Sequence, residues 1–129
     1  MNQTNQKQFA GVWLDHHKAT IIGIEQSGGE YTVLDTVKSQ EEHGGSSEHS
    51  IHQTEKSNLL KFFKSVAKLL VNYDEVLLFG PGTAQEQFQK HLQEDHQFKG
   101  SKIVVDSANQ LTEPQMLMKV REFFKSRQS

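Results

Sequence analysis

No cysteine occurs in this 129-residue chain, which excludes disulfides, thiolate chemistry and Cys-ligated zinc and suits a reducing cytoplasm. No stretch approaches the ~20 apolar residues that a membrane span needs. The opening MNQTNQKQ is polar throughout, without the apolar core of a signal peptide. A cytoplasmic protein with no membrane partner is therefore expected. A large excess of either charge sign is also missing. The formal net charge is −2, so the chain is no general polyanion binder. A DNA partner is not expected, and any contact with nucleic acid must come from a local patch. Hydrophobic residues make up only 34%, yet they cluster in periodic segments, so the low average does not mean disorder. At this length the chain forms one domain able to bury roughly two-thirds of its unfolded surface. Residues 1–8 are expected to be a disordered tail and residues 9–127 a single domain.

What is present begins with strands. FAGVWLD places Phe9, Gly11 and Trp13 on one face, with Ala10, Val12 and Leu14 on the other. After HHK come the β-branched ATIIGIE, the turn signal QSGGE and the alternating YTVLDTVK. Connections this short join only antiparallel neighbours, so the first third is a three-stranded meander. The period then changes. In TEKSNLLKFFKSVAKLLVNY, Leu59, Phe63, Val66, Ala67 and Leu70 recur at helical spacing, and lysines mark another face. EVLLFG reads as a buried strand and TAQEQFQKHLQEDHQ as a helix, with Thr83 and Glu86 at the spacing of a capping box. SKIVVD is a further strand. The last helix starts at Thr112, with Gln115 three residues on and Pro114 in its first turn.

The order is β-β-β-α-β-α-β-α. Strands separated by a helix run parallel, so the class is α/β with a mixed sheet, a ribonuclease H-like fold. Nucleases of that fold hold two metals with clustered carboxylates, including one in the first strand and one at the end of the fourth. Here those places are Val12, Trp13 and Leu14, and LFGPG; Asp15, Asp106 and Glu113 do not reproduce the pattern. A nuclease is not expected.

Four groups remain as candidates for chemistry. Asp15, His16 and His17 sit together on the first hairpin turn, where they are either metal ligands or simply exposed turn residues. His49 and His52 have a spacing that serves a metal only if the segment is helical, with Glu48 or His43 available to complete a site. That stretch is rich in Ser and Gly and lacks a rigid frame, so no metal and no cofactor are expected. Gly80, Gly82 and Thr83 lie between a strand end and a helix start, where backbone N–H groups can cradle an anion. The P-loop lysine is missing, and a plain strand-to-helix turn explains the same residues. Finally, Lys56, Lys61, Lys64 and Lys68 form a basic stripe that either contacts RNA or a partner or is a solvated helix face.

Between the meander and the lysine helix lies SQEEHGGSSEHSIHQ, residues 39–53. Meander, loop bearing HGG, long helix, LLFGPGTAQEQF, strand and helix: this order resembles the middle domain of eukaryotic and archaeal class-1 peptide-chain release factors and of Pelota. The resemblance runs from Phe9 to Phe124 and rests on element order and loop placement. In that family a Gly-Gly-Gln tip enters the peptidyl-transferase centre and the Gln helps place the hydrolytic water. His43, Gly44 and Gly45 match the tip, while Ser46 stands at the Gln position and Glu41, Glu42 and Glu48 surround it. The resemblance therefore implies a degenerate, mobile tip on a stand-alone bacterial-type domain, without peptidyl-tRNA hydrolysis. It further implies a non-enzymatic, translation-associated factor of the rescue or hibernation type, with ribosome or tRNA as partner. The alternatives are a metal-dependent hydrolase built on the Asp-His-His turn and an interaction domain unrelated to translation.

Overall fold

The structure is a computed structural model that describes residues 7–26, 28–40 and 48–127, without the side chains of residues 48–53 and 126. The elements follow the expected order: β1 (Phe9–Leu14), β2 (Lys18–Ile24), β3 (Tyr31–Lys38), α1 (Glu48–Lys68), β4 (Glu75–Gly80), α2 (Ala84–Gln93), β5 (Lys102–Ser107) and α3 (Glu113–Phe124). The five strands form one sheet in the order β3-β2-β1-β4-β5. β1 pairs antiparallel with β2 and β2 with β3, while β1 and β4, and β4 and β5, run parallel. This is the ribonuclease H-like mixed sheet. In the β2–β3 turn, Gly28 has φ 81°, a left-handed conformation that L side chains rarely adopt.

The alternation read from β1 sorts the core into two layers. Ala10, Val12 and Leu14 pack with Phe62, Phe63 and Val66 of α1, with Leu70 just beyond its end, and with Phe88 and Leu92 of α2. Phe9 and Trp13 pack on the other face with Met116, Val120 and Phe124 of α3. β1 and β4 are buried from end to end, as central strands covered on both faces must be. Gly11 lets α3 come down onto the sheet, because a Cβ there would overlap the Val120 side chain.

Both outer strands limit further pairing. Asp35 and Asp106 each accept a hydrogen bond from the next residue's N–H, at 2.8 and 2.9 Å. Gln89 Nε2 donates to the Ile103 carbonyl at 3.3 Å. A bulge between Ile21 and Ile22 also breaks the β2–β3 register: Ile21 faces Asp35 and Ile22 faces Val33, which leaves Leu34 as the extra residue.

Three local expectations change. α1 begins at Glu48, inside the stretch read as loop through Gln53, because once the core holds the later turns each earlier residue needs only propagation, not nucleation. The Thr83–Glu86 capping box does not form. Thr83 sits at φ −112°, ψ −3° with no side-chain capping bond, whereas a capping residue needs an extended backbone to aim its oxygen at the third helical N–H. At α3 the backbone is extended and both halves of the Thr112–Gln115 box are made. α2 stops at Gln93 and a short 3-10 turn, His96–Phe98, follows in place of the longer helix.

Both ends of the domain are tied to the start of β4. The Gln8 N–H donates to Asp74 at 2.7 Å. Arg127 Nε lies 3.1 and 3.0 Å from the two carboxylate oxygens of the buried Glu75, and its guanidinium lies over the Phe123 ring at 4.5 Å.

Candidate functional site

The fold gathers the first hairpin turn and the Gly80–Thr83 turn at one end, the carboxyl end of β1, β4 and β5, while the Lys61–Lys68 face runs down α1 toward the start of β4. β3 runs parallel to β1 across the meander, so it too finishes there, and the segment joining β3 to α1 leaves from this end. Its root is pinned where the Ser39 N–H donates to the His17 carbonyl at 2.7 Å. His43, Gly44, Gly45 and Ser46, together with Glu41 and Glu42, lie outside the described residues. α1 then returns over the sheet. Among its described side chains, burial in the core starts at Asn58 and Phe62. Between Glu48 and Asn58, the first part of α1, the helix climbs ~15 Å. His49 and His52 stand on that part, one turn apart on a helical backbone. The spacing thus meets its helical condition, and the side chains lie outside the description.

The first hairpin turn is committed to its own backbone. Asp15 Oδ1 accepts from the N–H groups of His17 and Lys18, both at 2.8 Å, and the Asp15 N–H donates to the Lys18 carbonyl at 3.0 Å. His16 Nε2 lies 2.7 Å from Gln87 Oε1 on α2, a partner the sequence did not reveal. These contacts draw the Asp-His-His trio apart into a turn brace and a helix tether. Among the described residues no group of three or more His, Asp or Glu side chains is placed to share a metal ion.

The Gly80–Thr83 turn is braced in the same way. The Gly80 carbonyl accepts from the buried Gln85 Nε2 at 2.9 Å and from the Ala108 N–H at 2.8 Å. The Thr83 carbonyl accepts from the Glu86 and Gln87 N–H groups, both at 3.1 Å. Gln85 Oε1 is buried without a hydrogen-bond partner among the described residues. A buried acceptor repels anions, so these atoms build a junction of β4, α2 and β5 better than a phosphate cradle. Asp106 likewise belongs to structure. Lys119 Nζ bonds its carboxylate at 2.9 Å while lying 5.9 Å from the Phe79 ring centre. That hydrogen bond holds Asp106 below the usual carboxylate range.

All four lysines of the stripe are exposed. At about 100° per residue, Lys61, Lys64 and Lys68 fall on one face turned away from the core, whereas Lys56 lies about 140° round from Lys61 and leaves the stripe. Lys64 stands near His91 of α2, whose ring rests on Phe88 and Phe63 at 6.0 and 5.6 Å. Burial lowers the His91 pKa most, Lys64 lowers it further, and Asp95 and Glu94 oppose them. With the folded value depressed, the unfolded chain binds the proton more readily, so this contribution is full above pH ~6.5 and shrinks as pH falls through that value. A His91→Phe variant should lose less stability between pH 7 and 5 than the parent in urea titrations; parallel curves would show that His91 is not the titrating group.

Comparison with known proteins meets this geometry at the level of the fold. No protein-family profile matches the chain and no curated protein sequence is recognisably similar. Solved structures are. Pelota from Archaeoglobus fulgidus superposes with a TM-score of 0.63 at 14% identity, over 93% of this chain and 32% of that one. The archaeal translation termination factor aRF1 gives 0.57 at 20% identity, over 95% and 35%. Archaeal Pelota, from a model of the ribosome-bound protein with ABCE1, gives 0.64 at 21% identity, over 96% and 34%. The chain therefore has the fold of a release-factor/Pelota-like domain, as the sequence resemblance implied, and spans about a third of the length of the chains it matches.

Proposed function

We propose that this domain is a non-enzymatic translation factor that contacts the ribosome in the cytoplasm, in a rescue or hibernation role, with its tip lacking the catalytic Gln. One observation carries the reading: nearly the whole chain follows a third-length portion of translation proteins, one of them Pelota in its ribosome-bound state. Ser46 at the Gln position removes the side chain that would place a hydrolytic water. The exposed Lys61, Lys64 and Lys68 face gives a net-acidic protein a local means of meeting RNA phosphates. No metal-dependent step is part of the reading, because Asp15 and His16 are spent on turn and helix contacts.

Sedimentation of cell lysate through a sucrose gradient tests it. At low salt the protein should travel with ribosomal particles, and high salt should release it, since phosphate contacts weaken with counterion competition. Lys61→Glu with Lys64→Glu should move most of the protein to the top of the gradient at low salt. A wild-type protein that stays at the top under every condition refutes ribosome contact and favours an interaction domain outside translation.

A further inference from the structure

Lys18 and Lys38 are directly opposed in the β2–β3 ladder. Like charges facing one another across antiparallel strands destabilise the pair. Neither lysine has an ion-pair partner among the described residues. The nearest turn carboxylate, Asp15, is occupied by the backbone N–H groups of His17 and Lys18. Opposed residues point to the same face, and alternation with Ile22 and Ile24 puts both on the α3 side of the sheet. α3 meets the hairpin at its other end, with Phe124 stacked on Tyr31 at 6.2 Å and Arg121 4.0 Å from Glu30. At the lysine end Lys38 is exposed and Lys18 half-buried. In the next register step Thr36 faces Thr20, and Thr20 faces Trp13; Thr36 is exposed and Thr20 buried. The corner therefore presents the exposed Lys38 and the half-buried Lys18 with an exposed hydroxyl beside them, at the root of the segment that leaves Lys38 for α1.

We infer that this corner binds the phosphodiester backbone of single-stranded RNA, with Lys18 and Lys38 sharing a phosphate and Thr36 donating to it. The inference rests on the ribosome-contacting reading above for its choice of RNA over other polyanions, and it adds a contact on the sheet face opposite α1. A shared anion converts the repulsion of the opposed lysines into attraction.

The test uses the full chain and a fluorescent 20-nucleotide RNA of mixed sequence, titrated at several salt concentrations. Lys38→Thr keeps a strand-compatible residue. It should raise Tm by about 2 °C through relief of the like-charge pair while weakening RNA binding roughly threefold. Lys18→Gln with Lys38→Thr should weaken binding about tenfold at low salt and reduce the slope of log K against log salt by about 0.7, the loss of the one shared phosphate contact on a single strand. The opposite signs matter, because a merely structural pair would move stability without moving the salt slope. Unchanged affinity in the double variant, competition by polyglutamate as strong as by RNA, or no RNA binding by the parent would each overturn the inference. Lys61→Gln with Lys64→Gln in the same titration separates the two sites. Loss only there sinks the hairpin site and keeps the ribosome-contacting reading.

Discussion

Gly80→Ala should cost roughly 4 kcal/mol or more, near the top of what single substitutions do and close to the whole stability of many domains of this size. The reason is where the added methyl would go. A Cβ on Gly80 would overlap the Leu14 carbonyl oxygen, which is backbone of the neighbouring parallel strand and not the movable end of a side chain. β1 and β4 would have to separate, and both are buried along their full length. The Gly80 carbonyl also joins α2 and β5 to the junction through Gln85 and Ala108, so its displacement is felt in several elements together. Gly82 is the matched control: a Cβ there meets nothing within 4 Å, and Gly82→Ala should stay within about 0.5 kcal/mol of the parent. Urea unfolding of the three proteins decides it. Equal midpoints for Gly80→Ala and the parent would mean that the strand ends part far more easily than the packing implies. The same result bears on the Gly80–Thr83 turn as an anion cradle, because a glycine required for strand approach needs no ligand to explain it.

Local chemistry in the sequence carried the element order, the two faces of β1 and the start of α3, since each depends on residues within a few positions. Thr112 and Gln115 are three apart and their box is made. Thr83 and Glu86 have the same spacing and it is not, because Thr83 follows a sharp exit from β4 with a helical rather than extended backbone. The early start of α1 was hidden by Ser- and His-containing sequence of modest helix propensity, which a core-anchored helix can still extend through. For the candidate site the limit was register. The Asp15–His17 turn and the α1 lysines could be read from the chain, but Lys18 opposite Lys38 could not. The pairing depends on a turn and on a bulge at Leu34, and one step of slip would send the two side chains to opposite faces. The His16–Gln87 contact joins residues 71 positions apart and left no trace in local pattern.

The seat of α3 gives the second large effect, and here the neighbour can yield. A Cβ on Gly11 would overlap Val120, whose side chain alone stands in its way. Gly11→Ala should cost about 2–3 kcal/mol as α3 is pushed off β1. Val120→Ala should cost about 2–3 kcal/mol by itself, from lost burial and the space left behind. Together they should cost close to one of them alone, because the methyl on residue 11 enters the space that Val120 vacates, a coupling of about 2 kcal/mol. A double-mutant cycle in urea measures this, and strict additivity would show that α3 does not rest on Gly11. No comparable rescue is open to Gly80→Ala, whose obstacle is a backbone carbonyl. The seat also bears on function. With Val120 fixed on Gly11, Phe124 reaches Tyr31 at one end of the meander and Lys119 reaches Asp106 across the sheet. Lys38 at the other end of the hairpin stays exposed, so the glycine that admits α3 also bears on the corner inferred above to bind RNA.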